Sequence, residues 1–136
     1  MLAGLHPHFV INLTRVFKGA GNWAKVTAKL TIPKGAFSGT EVISFAVNTD
    51  NTSIEFSPNI TNFNLDLSLD LIFSGVNISG YDDTNLFFSY LDGKSIVPAK
   101  YTYIKVNKGY GLLKVLGAQI SHFSRYGWST IDGSPI

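Results

Sequence analysis

Strict two-residue alternation is the feature that most narrows what this chain can fold into. In Leu65-Asp66-Leu67-Ser68-Leu69-Asp70-Leu71 a leucine stands at every other position with a polar residue between. Successive side chains of an extended strand point to opposite faces, so this segment can bury its leucines and wet its polar residues only as a β-strand. Val26-Thr27-Ala28-Lys29-Leu30-Thr31-Ile32 repeats the pattern, with Val26, Ala28, Leu30 and Ile32 on the apolar face. Pro33-Lys34-Gly35-Ala36 then ends that strand, because proline has no N–H to give to a ladder.

Further strands are predicted at Thr40 to Val47, Ser53 to Phe56, Leu86 to Tyr90, Tyr101 to Val106, Leu112 to Leu116 and Gln119 to Tyr126. Turn clusters at Asn48-Thr49-Asp50-Asn51, Asp92-Gly93 and Lys108-Gly109 separate several of them. No sustained apolar run at i, i+3, i+4 and i+7 with caps occurs. Roughly eight short strands at hairpin spacing, without crossover helices, predict an all-β fold, an antiparallel β-sandwich. A single β-sandwich domain is expected over 1–136, with its core at about 10–128 and flexible flanks at 1–9 and 129–136.

Composition excludes several function classes. Charged residues make up only 15% of the chain and hydrophobic ones 45%, a balance that supports a packed core rather than disorder. The eleven Lys and Arg residues are scattered and the formal net charge is +2, so no nucleic-acid partner is expected. Cysteine is absent, which removes disulfides and thiolate chemistry. No stretch approaches the ~20 apolar residues that a spanning helix needs. Met1-Leu2-Ala3-Gly4-Leu5 also lacks the charged start and apolar run of a secretory signal, so membrane insertion is not expected. Cysteine-free β modules suit bacterial envelope or secreted multidomain proteins and the cytoplasm equally well, so the compartment stays open, with an extracytoplasmic or cell-surface location slightly favoured if the source is bacterial.

Candidate ligand sites outside the C-terminal region are weak. His6-Pro7-His8 has only His122 to join it, short of a zinc set. Asp82-Asp83-Thr84-Asn85 offers oxygen ligands but lacks the spacing of a calcium loop and reads as a polar turn. Asp66 and Asp70 share one strand face without a second wall for paired-carboxylate hydrolysis. No metal and no cofactor are expected, and no turnover enzyme. Trp23, Trp128, Tyr81, Tyr101, Tyr103 and Tyr110 offer rings for stacking on sugars, which makes a carbohydrate-binding module an alternative. Aromatic residues also favour strands for packing alone. Asn12, Asn51, Asn59 and Asn77 each begin an Asn-x-Ser/Thr triplet, relevant only in a eukaryotic secretory setting.

The stretch that bears most directly on chemistry is Ser121-His122-Phe123-Ser124-Arg125-Tyr126-Gly127-Trp128. On one strand His122 and Ser124 would share a face, with the Phe123–Ser124 peptide bond between them. That pattern permits an N-to-O acyl shift, in which Ser124 Oγ attacks the Phe123 carbonyl carbon while His122 takes the hydroxyl proton. Twisting the peptide would weaken the resonance that protects it. The alternative is an inert strand, with His122 packing beside Tyr126 or bonding a carbonyl.

Ordered fragments connect this stretch to a family. Leu30-Thr31-Ile32-Pro33-Lys34-Gly35-Ala36-Phe37, Glu55-Phe56-Ser57-Pro58, Leu65 to Leu71, Phe88-Ser89-Tyr90 and Ile120-Ser121-His122-Phe123-Ser124-Arg125-Tyr126 stand in this order between Val26 and Trp128. The set resembles the ZU-five β-sandwich family of animal tight-junction, ankyrin, netrin-receptor and death-domain proteins and bacterial surface proteins. The resemblance implies a non-enzymatic module that contacts a neighbouring domain or a protein partner within a larger protein. It implies a second option too, because some members of the death-domain branch cleave themselves at His-Phe-Ser. Carried over, that makes His122 the base, Ser124 the nucleophile and Phe123 the acyl donor. The chain departs from the self-cleaving arrangement in having only a short tail after Trp128, with no second domain to release.

Overall fold

The computed structural model describes residues 2–4, 9–18, 23–36, 40–48, 52–58, 63–82, 84–91 and 97–130. Its strands are β1 (Leu2–Gly4), β2 (Phe9–Lys18), β3 (Trp23–Ile32), β4 (Thr40–Val42), β5 (Ser44–Asn48) and β6 (Ser53–Ser57). After these come β7 (Leu67–Ser74), β8 (Leu86–Tyr90), β9 (Val97–Pro98), β10 (Tyr103–Asn107), β11 (Leu112–Ile120) and β12 (Arg125–Thr130). Two five-stranded antiparallel sheets, ordered β10-β11-β7-β3-β2 and β5-β6-β12-β8-β9, form the sandwich, and β1 pairs with β4 in a small separate ladder. The architecture is the all-β antiparallel sandwich that the alternation predicts, with twelve strands among the described residues instead of about eight.

The core lies between the sheets, built from the alternate residues that periodicity singles out. Val26, Ala28, Leu30 and Ile32 of β3 are buried, as are Leu67, Leu69, Leu71 and Phe73 of β7. The facing sheet contributes Ile54, Phe56, Phe88, Tyr126 and Trp128. Leu65 falls before β7 and is exposed, so the core run begins at Leu67.

Four differences from the sequence reading have physical causes. No strand is predicted over Phe9–Lys18, yet β2 runs its full length beside β3. Its residues are apolar on both faces (Val10 and Val16 on one, Ile11 and Leu13 on the other) and Arg15 interrupts the second, so alternation does not reveal it. The predicted Thr40–Val47 strand breaks at Ile43, which separates β4, paired to β1, from β5, paired to β6. The turn predicted at Lys108-Gly109 is a short 3-10 turn, Lys108–Tyr110, closed by Gly111 in the left-handed region. The predicted Asp92-Gly93 turn and residues 49–51 of the Asn48–Asn51 cluster lie outside the described residues.

The fourth difference joins two predicted strands into one. Leu112–Leu116 and the start of Gln119–Tyr126 are a single strand, β11, that contains a β-bulge. Val115 pairs with Leu71 and Ala118 with Leu69, so Leu116 and Gly117 together oppose Asp70. Gly117 takes φ 68°, and its N–H donates to Asp70 Oδ1 at 2.8 Å. A glycine supplies the left-handed turn without strain, and the carboxylate accepts from the N–H that the bulge withdraws from the ladder. Replacing Asp70 by Ala should lower stability by about 1–2 kcal/mol in urea unfolding, whereas Asn, which keeps an acceptor, should retain most of it.

Candidate functional site

The predicted strand Gln119–Tyr126 does not run straight. β11 ends at Ile120 in the first sheet, Ser121 to Ser124 form a bend, and β12 starts at Arg125 in the second sheet. The same-face argument for His122 and Ser124 therefore does not apply, because it requires an extended strand. His122 and Ser124 are half-buried on either side of Phe123, whose ring is 0% exposed.

Aromatic packing fixes this bend. The Phe123 ring stacks on Phe56 at 5.2 Å and 18°, and meets Phe63 edge-on at 4.9 Å and 77°, both arrangements that ring quadrupoles favour. Backbone bonds hold the chain on each side of it. Phe63 N donates to the Ser121 carbonyl (3.3 Å) and Phe56 N to the Ser124 carbonyl (3.0 Å). The Tyr126 hydroxyl donates to the His122 carbonyl (3.0 Å). No backbone N–H of a described residue donates to the Phe123 carbonyl, which the acyl shift would attack.

His122 turns away from the core into an aromatic wall. Its ring lies 4.5 Å from Tyr90, edge-on at 76°, and 5.9 Å from Tyr126. Nδ1 is 3.1 Å from Ser121 Oγ, so the hydroxyl that meets this nitrogen is that of Ser121. Tyr90, His122 and Tyr126 form one wall of a surface cleft of about 450 Å³, within the size range of small-ligand sites. Val97 and Pro98 of β9 make its apolar lip, and Asp66, Lys100 and Gln119 supply polar groups.

The sequence reading singled out His122 but missed Tyr90, Lys100 and Gln119. These come from separate segments that only the packing of the two sheets brings together. The period-two position of Tyr90 after Phe88 was the one available signal, and it indicates a face, not a cleft.

Other sequence candidates fall elsewhere. Asp82 Oδ1 accepts from Thr84 N (2.9 Å) and Thr84 Oγ1 (2.7 Å), while Asn85 Nδ2 donates to Oδ2 (3.2 Å). The two Thr84 bonds hold the Asp82 carboxyl below its ordinary value and make an Asx-type turn. Among the described residues no group of three or more His, Asp or Glu side chains is placed to hold a metal. No helix among them is long and apolar enough to cross a membrane. Asp70 serves the bulge, and Asp66 lines the cleft.

Trp128 is fully buried against Phe88 and cannot stack on a sugar. Tyr103 and Tyr110 are exposed, with Lys114 Nζ 6.0 Å from the Tyr103 ring centre. Asn12 and Asn77 are exposed. His6, His8, Asn51, Asn59, Asp83 and the Trp23 side chain lie outside the described residues.

Compared with known proteins, the chain matches no family model, no curated protein and no solved structure.

Burial pushes the Tyr126 phenol well above the ordinary tyrosine value, against the opposing effect of its bond to the His122 carbonyl. A raised folded-state value stabilises the fold fully below pH ~10, the value in the unfolded chain, and the contribution is lost as pH rises above it. In an alkaline absorbance titration, one of the six tyrosines should therefore stay protonated until the protein unfolds. Tyr126→Phe should remove that late transition.

Proposed function

We propose that this chain is a non-enzymatic β-sandwich module that engages a protein partner or a neighbouring domain through the cleft beside His122. The observation that supports this most is the composition of the cleft: exposed apolar residues at its lip, an aromatic wall, and polar side chains of both charge signs. Aromatic anchors within a polar rim are the usual anatomy of a protein-recognition site. The resemblance of the His122 segment to the ZU-five motif points the same way. The immobilised chain should select displayed peptides whose affinity falls about tenfold or more on Tyr90→Ala. Binders indifferent to both Tyr90→Ala and Lys100→Ala would defeat the proposal. A hit on a glycan array that depends on Tyr90 would replace the protein partner with a carbohydrate.

A second reading, self-cleavage between Phe123 and Ser124, has a specific observation in its favour. The Phe123 ring is locked in the core and the carbonyls of Ser121, His122 and Ser124 all accept hydrogen bonds, so the Phe123–Ser124 peptide is held in one fixed geometry. Attack of Ser124 Oγ on the Phe123 carbonyl carbon forms an ester and breaks the C–N bond. The hydroxyl proton passes through His122 to the departing nitrogen of Ser124. Water then opens the ester, leaving a carboxylate at Phe123 and a free amine at Ser124. After incubation at neutral pH, denaturing mass spectrometry should show pieces covering 1–123 and 124–136 that Ser124→Ala abolishes. A single intact mass would remove this reading and leave the first untouched.

A further inference from the structure

Among the described residues the two sheets have four edge strands: β10 and β2 on the first, β5 and β9 on the second. An unpaired edge offers a row of N–H and C=O groups to any other strand, and proteins blunt such edges with short length, proline, lysine or bulges. Three of the four are blunted here. β9 is two residues long and ends in Pro98. β10 is five residues long, with exposed Lys105 at its centre facing Lys114 of β11. β5 is also only five residues long and is cut off from β4 at Ile43.

β2 has the least of this protection: its lysine, Lys18, stands only at its last position. It is ten residues long and pairs with β3 through ten consecutive positions without a bulge. It contains no proline, and Arg15 is its one charged residue before Lys18. Asn12, Thr14, Arg15 and Val16 are exposed along it, Val16 to 58%. A groove of about 220 Å³, lined by Leu13, Arg15, Phe45 and Val47, opens beside this edge.

We propose that β2 is a self-association edge. Two copies of the chain pair β2 to β2, antiparallel, about a two-fold axis at Leu13, which joins their first sheets into one. The sequence is self-complementary in this register. Leu13 meets Leu13 of the second copy, Ile11 meets Arg15, Asn12 meets Thr14, and Val10 meets Val16. Leucine thus faces leucine and valine faces valine, Asn12 and Thr14 meet on the outer surface, and no like charges oppose each other. The two-fold makes the contact isologous, so it closes at a dimer and does not propagate. The inference is independent of the cleft at His122, which lies beside the β9 edge.

Sedimentation equilibrium on the whole chain tests it. The native protein should form a concentration-dependent dimer at micromolar loading. In Asn12→Glu/Thr14→Glu, glutamates of the two copies face each other, while residue 12 lies opposite Lys29 within its own sheet. The variant should remain folded by circular dichroism and dimerise about tenfold or more weakly. A native chain that stays monomeric at millimolar concentration, or a dimer that the double variant leaves unchanged, overturns the proposal.

Because the chain has no cysteine, single cysteines then test the register. Directly opposed residues of an antiparallel pair are close enough to bridge, so Leu13→Cys should give covalent dimers under mild oxidation and Val16→Cys should not. Cross-linking as efficient at Val16→Cys as at Leu13→Cys overturns the two-fold at Leu13.

Discussion

Phe123 has no exposed surface and is packed between Phe56 and Phe63, so the chain leaves one sheet at Ile120 and enters the other at Arg125 with this ring as its pivot. Everything that distinguishes the candidate site depends on that constraint. With the ring inward, the residue before it faces outward, and His122 joins Tyr90 and Tyr126 in the wall of a cleft. The Tyr126 hydroxyl then binds the His122 carbonyl, so the aromatic wall and the backbone of the bend hold each other in place. Large-to-small changes at so fully packed an aromatic ring typically cost about 3–5 kcal/mol. The bend is thus anchored in the core, and the side chains of the cleft wall project from it.

A carboxylate and a glycine shape the strand that leads into this crossing. Two residues of β11 oppose Asp70 alone, and the carboxylate answers the N–H of Gly117. A bulge strengthens local twist and re-aims the side chains beyond it. Beyond this bulge stand Gln119, Ser121 and His122, three residues that line the cleft. Asp70 looks like a solvating residue in the sequence but has a structural task that only the register exposes.

Much of the fold was legible in the chain. The inward residues of β3 and β7 can be named from alternation, because a sheet with one buried face imposes that period directly. β2 was not legible, since an edge strand half-covered by the facing sheet needs no clean alternation. The candidate site was legible only in part. His122, Phe123 and Ser124 stood out as a group, but the strand drawn through them was a bend. The rest of the cleft comes from residues distant in sequence, including Tyr90 and Lys100, and local periodicity carries no information about such meetings.

The sequence by itself determined that this chain is an all-β sandwich and that Val26, Ala28, Leu30, Ile32, Leu67, Leu69 and Leu71 face its core, because burial acts on each strand locally and repeatedly. Only the tertiary structure decided the crossing at Phe123, the cleft it places beside His122, and which long strand stands at the end of its sheet among the described residues. These depend on how strands from distant segments are ordered and registered, which is set by the fit of whole sheets and not by the pattern within any one strand.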